Sequence, residues 1–219
     1  MAPVPYLLKD GTRVPSVTTI IGGCKLGNID GLLAWANREG MAGRSFEESR
    51  EAAADAGRCT HDRVYCHTHG KEFDASKFAP DIVAKSEQPF QAFLEWARQS
   101  NLTVAAGEVR IVSEKYRFGG TLDAITVGNE LALADWKTSN SVRVEYLIQV
   151  AAYGKLWEEA HPDMPLVGGY HIMRFGKPAH PDDPVHFSHH HWSQLDAAWQ
   201  AFQHMRELYE LNKRLGKMI

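Results

Sequence analysis

The spacing of apolar residues changes from a helical to an alternating pattern near position 100. Before that point, apolar residues recur every three to four positions and predict helices over residues 30–40, 45–65 and 86–99. We expect Asp30 and Gly40 to bound the first of these helices and Gly57 to break the second. A hairpin over residues 6–14 and a short helix capped by Ser16 are predicted to precede them.

Beyond position 100, apolar and polar residues alternate as they do in half-buried strands. The pattern predicts strands, in chain order, at residues 102–113 (interrupted at Gly107), 116–127, 130–137, 167–175 and 185–189. Helices are predicted at residues 145–160 and 192–217, and a proline-containing surface loop at 176–184. Three strands in an antiparallel meander, with a later strand joining after a helical crossover, make the expected fold an α/β sandwich.

The stretch that carries chemistry is the hairpin of the second and third of these strands, with a predicted two-residue turn at Gly128-Asn129. Such a hairpin brings Asp123 and Asp135 side by side, and Lys137 shares a strand face with Asp135. Adjacent carboxylates repel each other unless a cation lies between them, and hard oxygen ligands suit Mg²⁺ or Mn²⁺. Two carboxylates and a lysine in this arrangement are the groups that metal-assisted hydrolysis of a phosphodiester requires. The alternative is an ordinary surface hairpin with a solvated Asp-x-Lys pair.

Composition narrows the class of protein further. The chain has 219 residues and a formal net charge of −3, which suits one domain and argues against non-specific wrapping of nucleic acid, although not against a local basic groove. No apolar run is long enough for a membrane span, and no secretion signal is expected at the N-terminus. Three cysteines without CxxC spacing indicate reduced thiols, so we expect a cytoplasmic location.

Four further polar residues have both a functional and a structural interpretation. His61 follows Gly57 by four residues in a predicted helix; it is either a metal ligand or a packed or solvated histidine. Gln149 and Tyr153 share one helix face and either contact the site or make ordinary interfacial bonds. Glu108 either helps to bind a metal or is solvated.

Basic and aromatic residues near the hairpin are candidates for contact with nucleic acid. Lys115, Arg117 and Arg143 flank the strands that carry the aspartates, and Arg143 is placed to neutralise a phosphate. Trp35 is a candidate for stacking on a base, with core packing as the alternative. For each basic residue, a solvated position is the structural alternative.

Taken in chain order, these residues resemble the motifs of the PD-(D/E)XK nuclease superfamily, in its RecB-like exonuclease branch. The matching motifs are GxxxH ending at His61, a glutamate at Glu108, GxxD ending at Asp123, DxKT beginning at Asp135 and QxxxY beginning at Gln149. The resemblance covers residues 14–160 and extends to stand-alone phage exonucleases and the mitochondrial genome maintenance exonuclease. Leu122 stands where the superfamily motif has proline.

The resemblance implies a restriction-endonuclease-like core, an αβββαβ arrangement with a mixed central sheet flanked by helices, and an added N-terminal helical region. On this basis the chain is one nuclease domain in three segments. Residues 1–100 would form a hairpin and a helical arch or wall, 101–175 the sheet core with the active site, and 176–219 a loop, an edge strand and a closing helix.

The resemblance also implies a role for each matched residue. Asp123 and Asp135 would hold Mg²⁺ or Mn²⁺, with His61 and the Trp136 carbonyl as further ligands. Glu108 is the least defined member of this set and is expected at most to serve a second metal. The C-terminal half of the chain has no cysteine, so no iron–sulfur cluster is expected.

For catalysis, Lys137 would orient or deprotonate the attacking water, Gln149 would fix Lys137 or a phosphate, and Tyr153 would contact DNA. The expected activity is a metal-dependent DNA exonuclease that acts on single strands or frayed ends and leaves 5′-phosphates. Replication, repair or recombination in a bacterial or phage-infected cell is the expected setting. The alternatives are a structure- or sequence-specific endonuclease of the same fold and a DNA-end-binding module without catalysis.

Overall fold

The computed structural model describes residues 4–24, 29–176, 184 and 186–218. In this part of the chain the α-helices are α1 (Val17–Gly23), α2 (Ile29–Met41), α3 (Phe46–Thr68), α4 (Pro80–Gln99), α5 (Val144–Ala160) and α6 (Asp196–Leu215). The strands are β1 (Tyr6–Leu7), β2 (Arg13–Val14), β3 (Thr103–Ser113), β4 (Phe118–Val127), β5 (Leu131–Thr138), β6 (Tyr170–Phe175) and β7 (Phe187–Trp192). None of the described helices has the length and apolar character that a membrane crossing needs.

The main sheet has the strand order β3-β4-β5-β6-β7 and is mixed. β5 and β6 are parallel, whereas the other neighbouring strands are antiparallel. A parallel pair needs a long crossover, and α5 lies within it. The predicted meander followed by a helix and a joining strand is therefore confirmed, and the fold is mixed α/β. Its identity as a restriction-endonuclease-like core stays a prediction, as does the division into three segments.

Alternate residues of β5 face two different layers. Leu133 faces a core that contains residues of α1, α5 and α6, whereas Ala134 and Trp136 face a second core on the side of α4. There, Phe93 and Trp96 pack against the Trp136 indole, with ring centroids 5.5 and 5.3 Å away. Because both faces of β5 are covered, polar side chains on this strand are buried and need specific partners.

The N-terminal half confirms the short elements and corrects three details. Ser16 accepts the Thr19 N–H as predicted for a cap. Gly57 does not break α3; a Cβ there would lie 3.2 Å from Thr138 Oγ1, so glycine lets the helix approach β5 closely. Asp30 lies in the first turn of α2 instead of capping it. The start of α4 was predicted six residues too late, since Pro80 begins the helix where its missing N–H costs nothing.

The C-terminal half also departs from the predictions. Three residues, 128–130, connect β4 to β5 instead of two. β3 continues through Gly107 as one strand, with a shift of its register between Val104 and Ala106. Trp192 ends β7 and does not open the last helix, which starts at Asp196. On α6, Leu208 is 44% exposed, whereas Tyr209 packs against the core that contains residues of α1 and α5. The predicted loop at 176–184 falls mainly outside the described residues.

Candidate active site

The centre of the site is the point where β4 and β5 separate. Their last paired residues are Ala124 and Ala134, so one step further along the same register Asp123 lies opposite Asp135. At this step the Trp136 backbone N–H donates to Asp123 Oδ2 at 2.8 Å. The carboxylate accepts a bond that a backbone carbonyl accepts in a regular ladder. Asp123 is thereby fixed by the sheet itself.

Asp135 and Lys137 form a buried ion pair beside this point. Asp135 Oδ2 lies 2.5 Å from Lys137 Nζ, and the side chains are 0% and 14% exposed. The other oxygen, Oδ1, has no hydrogen-bond donor among the described residues. Burial raises the pKa of Asp135 to about 7, Lys137 opposes this rise and Asp123 adds to it. A buried carboxylate with so few donors favours a bound cation.

His61 reaches the same point from α3, across from Asp123. Its Nε2 lies 3.1 Å from the Trp136 carbonyl oxygen, and its Nδ1 lies 3.5 Å from Asp123 Oδ1. Burial lowers the pKa of His61, but the Asp123 carboxylate outweighs burial and raises the pKa to about 9. The same pairing keeps the pKa of Asp123 below its usual value although burial opposes this. The Asp123 carboxylate thus favours the protonated form of the His61 imidazole.

Glu108 completes a cluster of three metal-ligating side chains. One ligand atom each from His61, Glu108 and Asp123 lies within 4.8 Å of the others, around a cavity of about 10 Å³. Although the residue as a whole is exposed, its carboxyl end lines the cavity. Burial of that end and the nearby Asp123 charge raise the pKa of Glu108 to about 7. Glu108 also has a left-handed backbone with φ of 51°, a costly conformation that is found most often at functional sites.

One face of α5 lies over the site. Gln149 Nε2 donates to the Tyr153 hydroxyl at 2.9 Å, so Tyr153 supplies the partner that a largely buried glutamine needs. The Tyr153 ring lies so close to Gly120 that a Cβ there would be 2.6 Å from Tyr153 Cε1. Tyr146 was missed by the sequence reasoning: its ring centroid lies 5.0 Å from Lys137 Nζ. The signal was available, because Tyr146 precedes Gln149 by three residues on the same helix face.

The predicted basic contacts are not brought together. Arg143 is exposed and immediately precedes α5, at the end of the connection from β5. Lys115 and Arg117 lie in the turn between β3 and β4. Asp123 lies six positions after Arg117 along β4, which is roughly 20 Å of extended strand. Of the three, Arg143 is thus the residue at the site's end of the sheet.

Trp35 packs between helices away from the site. Its ring meets Phe46 edge-on with centroids 5.0 Å apart, and its N–H donates to Glu39 at 3.2 Å. Phe46 begins α3, and about 22 Å of helix separates it from His61. The structure therefore gives Trp35 a packing role between α2 and α3, and its contact with a base stays a prediction.

A second polar group lies on the opposite face of the sheet, on β6 and β7. His171 is buried, and its Nδ1 lies 2.8 Å from His189 Nε2. The Trp96 N–H donates to His189 Nδ1 at 3.4 Å. Burial lowers the pKa of His171 to about 4, and His189 adds to this effect. Only neutral imidazoles satisfy this chain of donors and acceptors.

The donor set at the first site fits a hard divalent cation. Carboxylate oxygens, one imidazole and a backbone carbonyl are ligands for Mg²⁺ or Mn²⁺. The buried Asp135 oxygen without a donor and the cavity beside Asp123 both favour a cation there. Asp135 itself lies outside the three-residue cluster, and its role as a ligand stays a prediction.

Comparison with known proteins gives distant likenesses only. No protein-family model matches the chain, and no curated protein matches it. Among solved structures it is similar to the crystal structure of SSO0001, at 16% identity over 69% of this chain and 71% of that chain, with a TM-score of 0.32. It is also similar to LHK-Exo in complex with dAMP, at 14% identity over 77% of this chain and 92% of that chain, with a TM-score of 0.33. Likeness at this level does not establish a family.

Proposed function

We propose that this protein is a metal-dependent deoxyribonuclease of the PD-(D/E)XK type. It removes nucleotides from single-stranded DNA or frayed ends and leaves 5′-phosphates. The observation that carries this proposal is the convergence of Asp123, Glu108 and His61 with the buried Asp135–Lys137 pair where β4 and β5 separate. An Asp–Lys pair with only a structural role on a surface hairpin would be solvated. It would not leave a carboxylate oxygen buried without a hydrogen-bond donor.

The ligands for the cation would come from four elements, since Asp135 and the Trp136 carbonyl belong to β5. Asp123 on β4, Glu108 on β3 and His61 on α3 would hold Mg²⁺ or Mn²⁺, with the Trp136 carbonyl and Asp135 completing the set. When bound, the metal supplies Lewis acidity towards the phosphate and lowers the pKa of a coordinated water. Binding would also replace the proton now shared around His61 and relieve the repulsion between Glu108 and Asp123.

The remaining residues position the reactants. Lys137, held by Asp135, orients the attacking water and stabilises the negative charge that develops on the phosphorane. The water oxygen bonds to phosphorus while the bond to the leaving 3′-oxygen breaks, so the product carries a 5′-phosphate. Gln149 donates to Tyr153 and keeps its own carbonyl oxygen for Lys137 or the water. Tyr153 is buried against Gly120 and fixes Gln149 from behind.

The test compares the wild type with Lys137→Ala and with Lys213→Ala, an exposed lysine at the end of α6. Each protein is incubated with 5′- or 3′-labelled single-stranded and duplex DNA in EDTA, Mg²⁺ or Mn²⁺. We expect metal-dependent release of nucleotides by the wild type and Lys213→Ala, and a loss of at least a hundredfold in Lys137→Ala. The labelled end that is released first gives the polarity.

Other outcomes would change the assignment. Cleavage of a closed single-stranded circle as fast as of a linear strand would make the protein an endonuclease and contradict threading from an end. Binding of DNA without cleavage by either protein would leave a DNA-end-binding module. Equal cleavage by wild type and Lys137→Ala would show that the site is elsewhere.

A further inference from the structure

Arg174 lies beside Lys137 on the neighbouring strand of the sheet. In the parallel pair of β5 and β6, Lys137 is in register with Arg174, and Asp135 is in register with Ile172. Residues in register on adjacent strands point to the same face and lie about 5 Å apart. Ile172 belongs to the core that includes α5, so Arg174 projects from the face that carries Asp135 and Lys137.

The Arg174 side chain is held in place but only partly used. Its Nε donates to Ser188 Oγ at 2.8 Å and its Nη1 to the Ser139 carbonyl oxygen at 3.2 Å. A guanidinium group has five N–H donors, so three have no hydrogen-bond partner among the described residues. Arg174 is half-buried, and the structure gives it no carboxylate partner among the described residues.

The two neighbouring cations therefore differ in charge balance. Lys137 is paired with Asp135, whereas the positive charge of Arg174 is not balanced by an acidic side chain of the described chain. A fixed guanidinium with free donors binds phosphate in a bidentate manner, and little side-chain entropy is lost because two bonds already orient it. We propose that Arg174 binds the DNA phosphate next to the one that is cut. This inference rests on the proposed nuclease function.

The position also explains why the arginine is supported from two sides. Ser188 on β7 is the cross-strand partner of Arg174, and Ser139 begins the connection from β5 to α5. These bonds aim the guanidinium along the end of the sheet where Lys137 lies. A second interpretation is that Arg174 only ties this connection to β7, and the experiment separates the two.

Binding of a labelled single-stranded oligonucleotide is measured by fluorescence anisotropy between 50 and 300 mM salt, with Ca²⁺ in place of Mg²⁺. The proteins are the wild type, Arg174→Gln, Arg174→Lys and, as the matched control, Arg98→Gln, an exposed arginine paired with Glu95. Arg174→Gln should weaken binding about tenfold at low salt and reduce the slope of log K against log salt by about 0.7, one phosphate contact on a single strand. Arg174→Lys should keep the slope and bind more weakly than the wild type, and Arg98→Gln should match the wild type.

A cleavage assay and thermal unfolding complete the test. Arg174→Gln should raise KM about tenfold and change kcat less than twofold. An unchanged salt slope, with or without a lower melting temperature, overturns the inference and leaves Arg174 as a structural tie. If the wild type cleaves DNA and Arg174→Gln binds it equally well, only this inference fails. If the wild type binds no DNA, the proposed function fails with it.

Discussion

Replacing Glu108 by glutamine should stabilise the metal-free protein at alkaline pH. The raised pKa means that ionised Glu108 is disfavoured in the folded state. When the pKa of a group is higher in the folded than in the unfolded state, the free energy of unfolding falls as pH rises from the unfolded pKa towards the folded one. Wild type should therefore lose stability between pH 4.5 and pH 7 through this group, and Glu108→Gln should not.

The magnitude follows from the two pKa values. The difference between 4.5 and about 7 corresponds to about 3 kcal/mol for a carboxyl sealed from water. Because more than a third of Glu108 is exposed, solvent screening reduces this to about 1 kcal/mol. At pH 5 the same substitution should change the free energy of unfolding by only a few tenths of a kcal/mol.

The assay is urea unfolding in EDTA at pH 5 and pH 8, followed by thermal unfolding with and without Mn²⁺. The control is Glu72→Gln, which replaces an exposed carboxylate that forms no ion pair within the described part of the chain. With Mn²⁺ at a hundred times its Kd, the wild type should gain about 2.7 kcal/mol and Glu108→Gln clearly less, because it lacks a ligand. A Gln variant that is less stable than wild type at pH 8 in EDTA, or that gains as much from Mn²⁺, would refute the reasoning.

Three further predictions test other parts of the site and sheet. Gly120→Ala should lower the free energy of unfolding by about 1–3 kcal/mol in urea, because its Cβ would press on the buried Tyr153 ring. Gly40→Ala in α2, where a Cβ meets nothing within 4 Å, should instead raise it by up to about 1 kcal/mol. Equal effects of the two substitutions would contradict the close contact at Gly120. The pKa of His171 is depressed, so its stabilising contribution is full above about pH 6.5 and is lost as pH falls towards 4. After allowance for solvent screening, His171→Asn should remove about 1–2 kcal/mol of the stability difference between pH 7 and pH 4.5. Parallel curves of stability against pH for the two proteins would contradict this prediction. Tyr146→Leu should slow DNA cleavage up to about tenfold, because it removes the ring that contacts Lys137. Tyr146→Phe keeps the ring and should retain the rate. Equal cleavage rates in the two variants would exclude a role for the ring.

The sequence pattern predicted that Asp123 and Asp135 would meet, and the structure places them opposite each other on β4 and β5. Asp123, Asp135 and Lys137 could be placed because strand alternation and a short hairpin are local rules. Helix spacing left a structural alternative open for His61 and Gln149, and the resemblance to family motifs assigned them to the site. These rules work because each relates residues that are close in sequence.

What could not be predicted depends on contacts between distant elements. The neighbour of Lys137 across the parallel pair is set by how the crossover packs, so nothing local indicates Arg174. The left-handed backbone of Glu108 is imposed on a non-glycine residue by its surroundings. The start of α4 was missed because Ala79 caps the helix without a side-chain bond, which leaves Pro80 as the signal.

The hydrogen bond between Asp123 and the Trp136 amide has a consequence for the order of folding. β4 and β5 are joined by three residues, so the two aspartates meet through one of the most local contacts in the sheet. Lys137 and Arg174 meet only after the crossover over residues 139–169 has closed. The two aspartates can thus come together early, whereas the pairing of Lys137 with Arg174 is completed last.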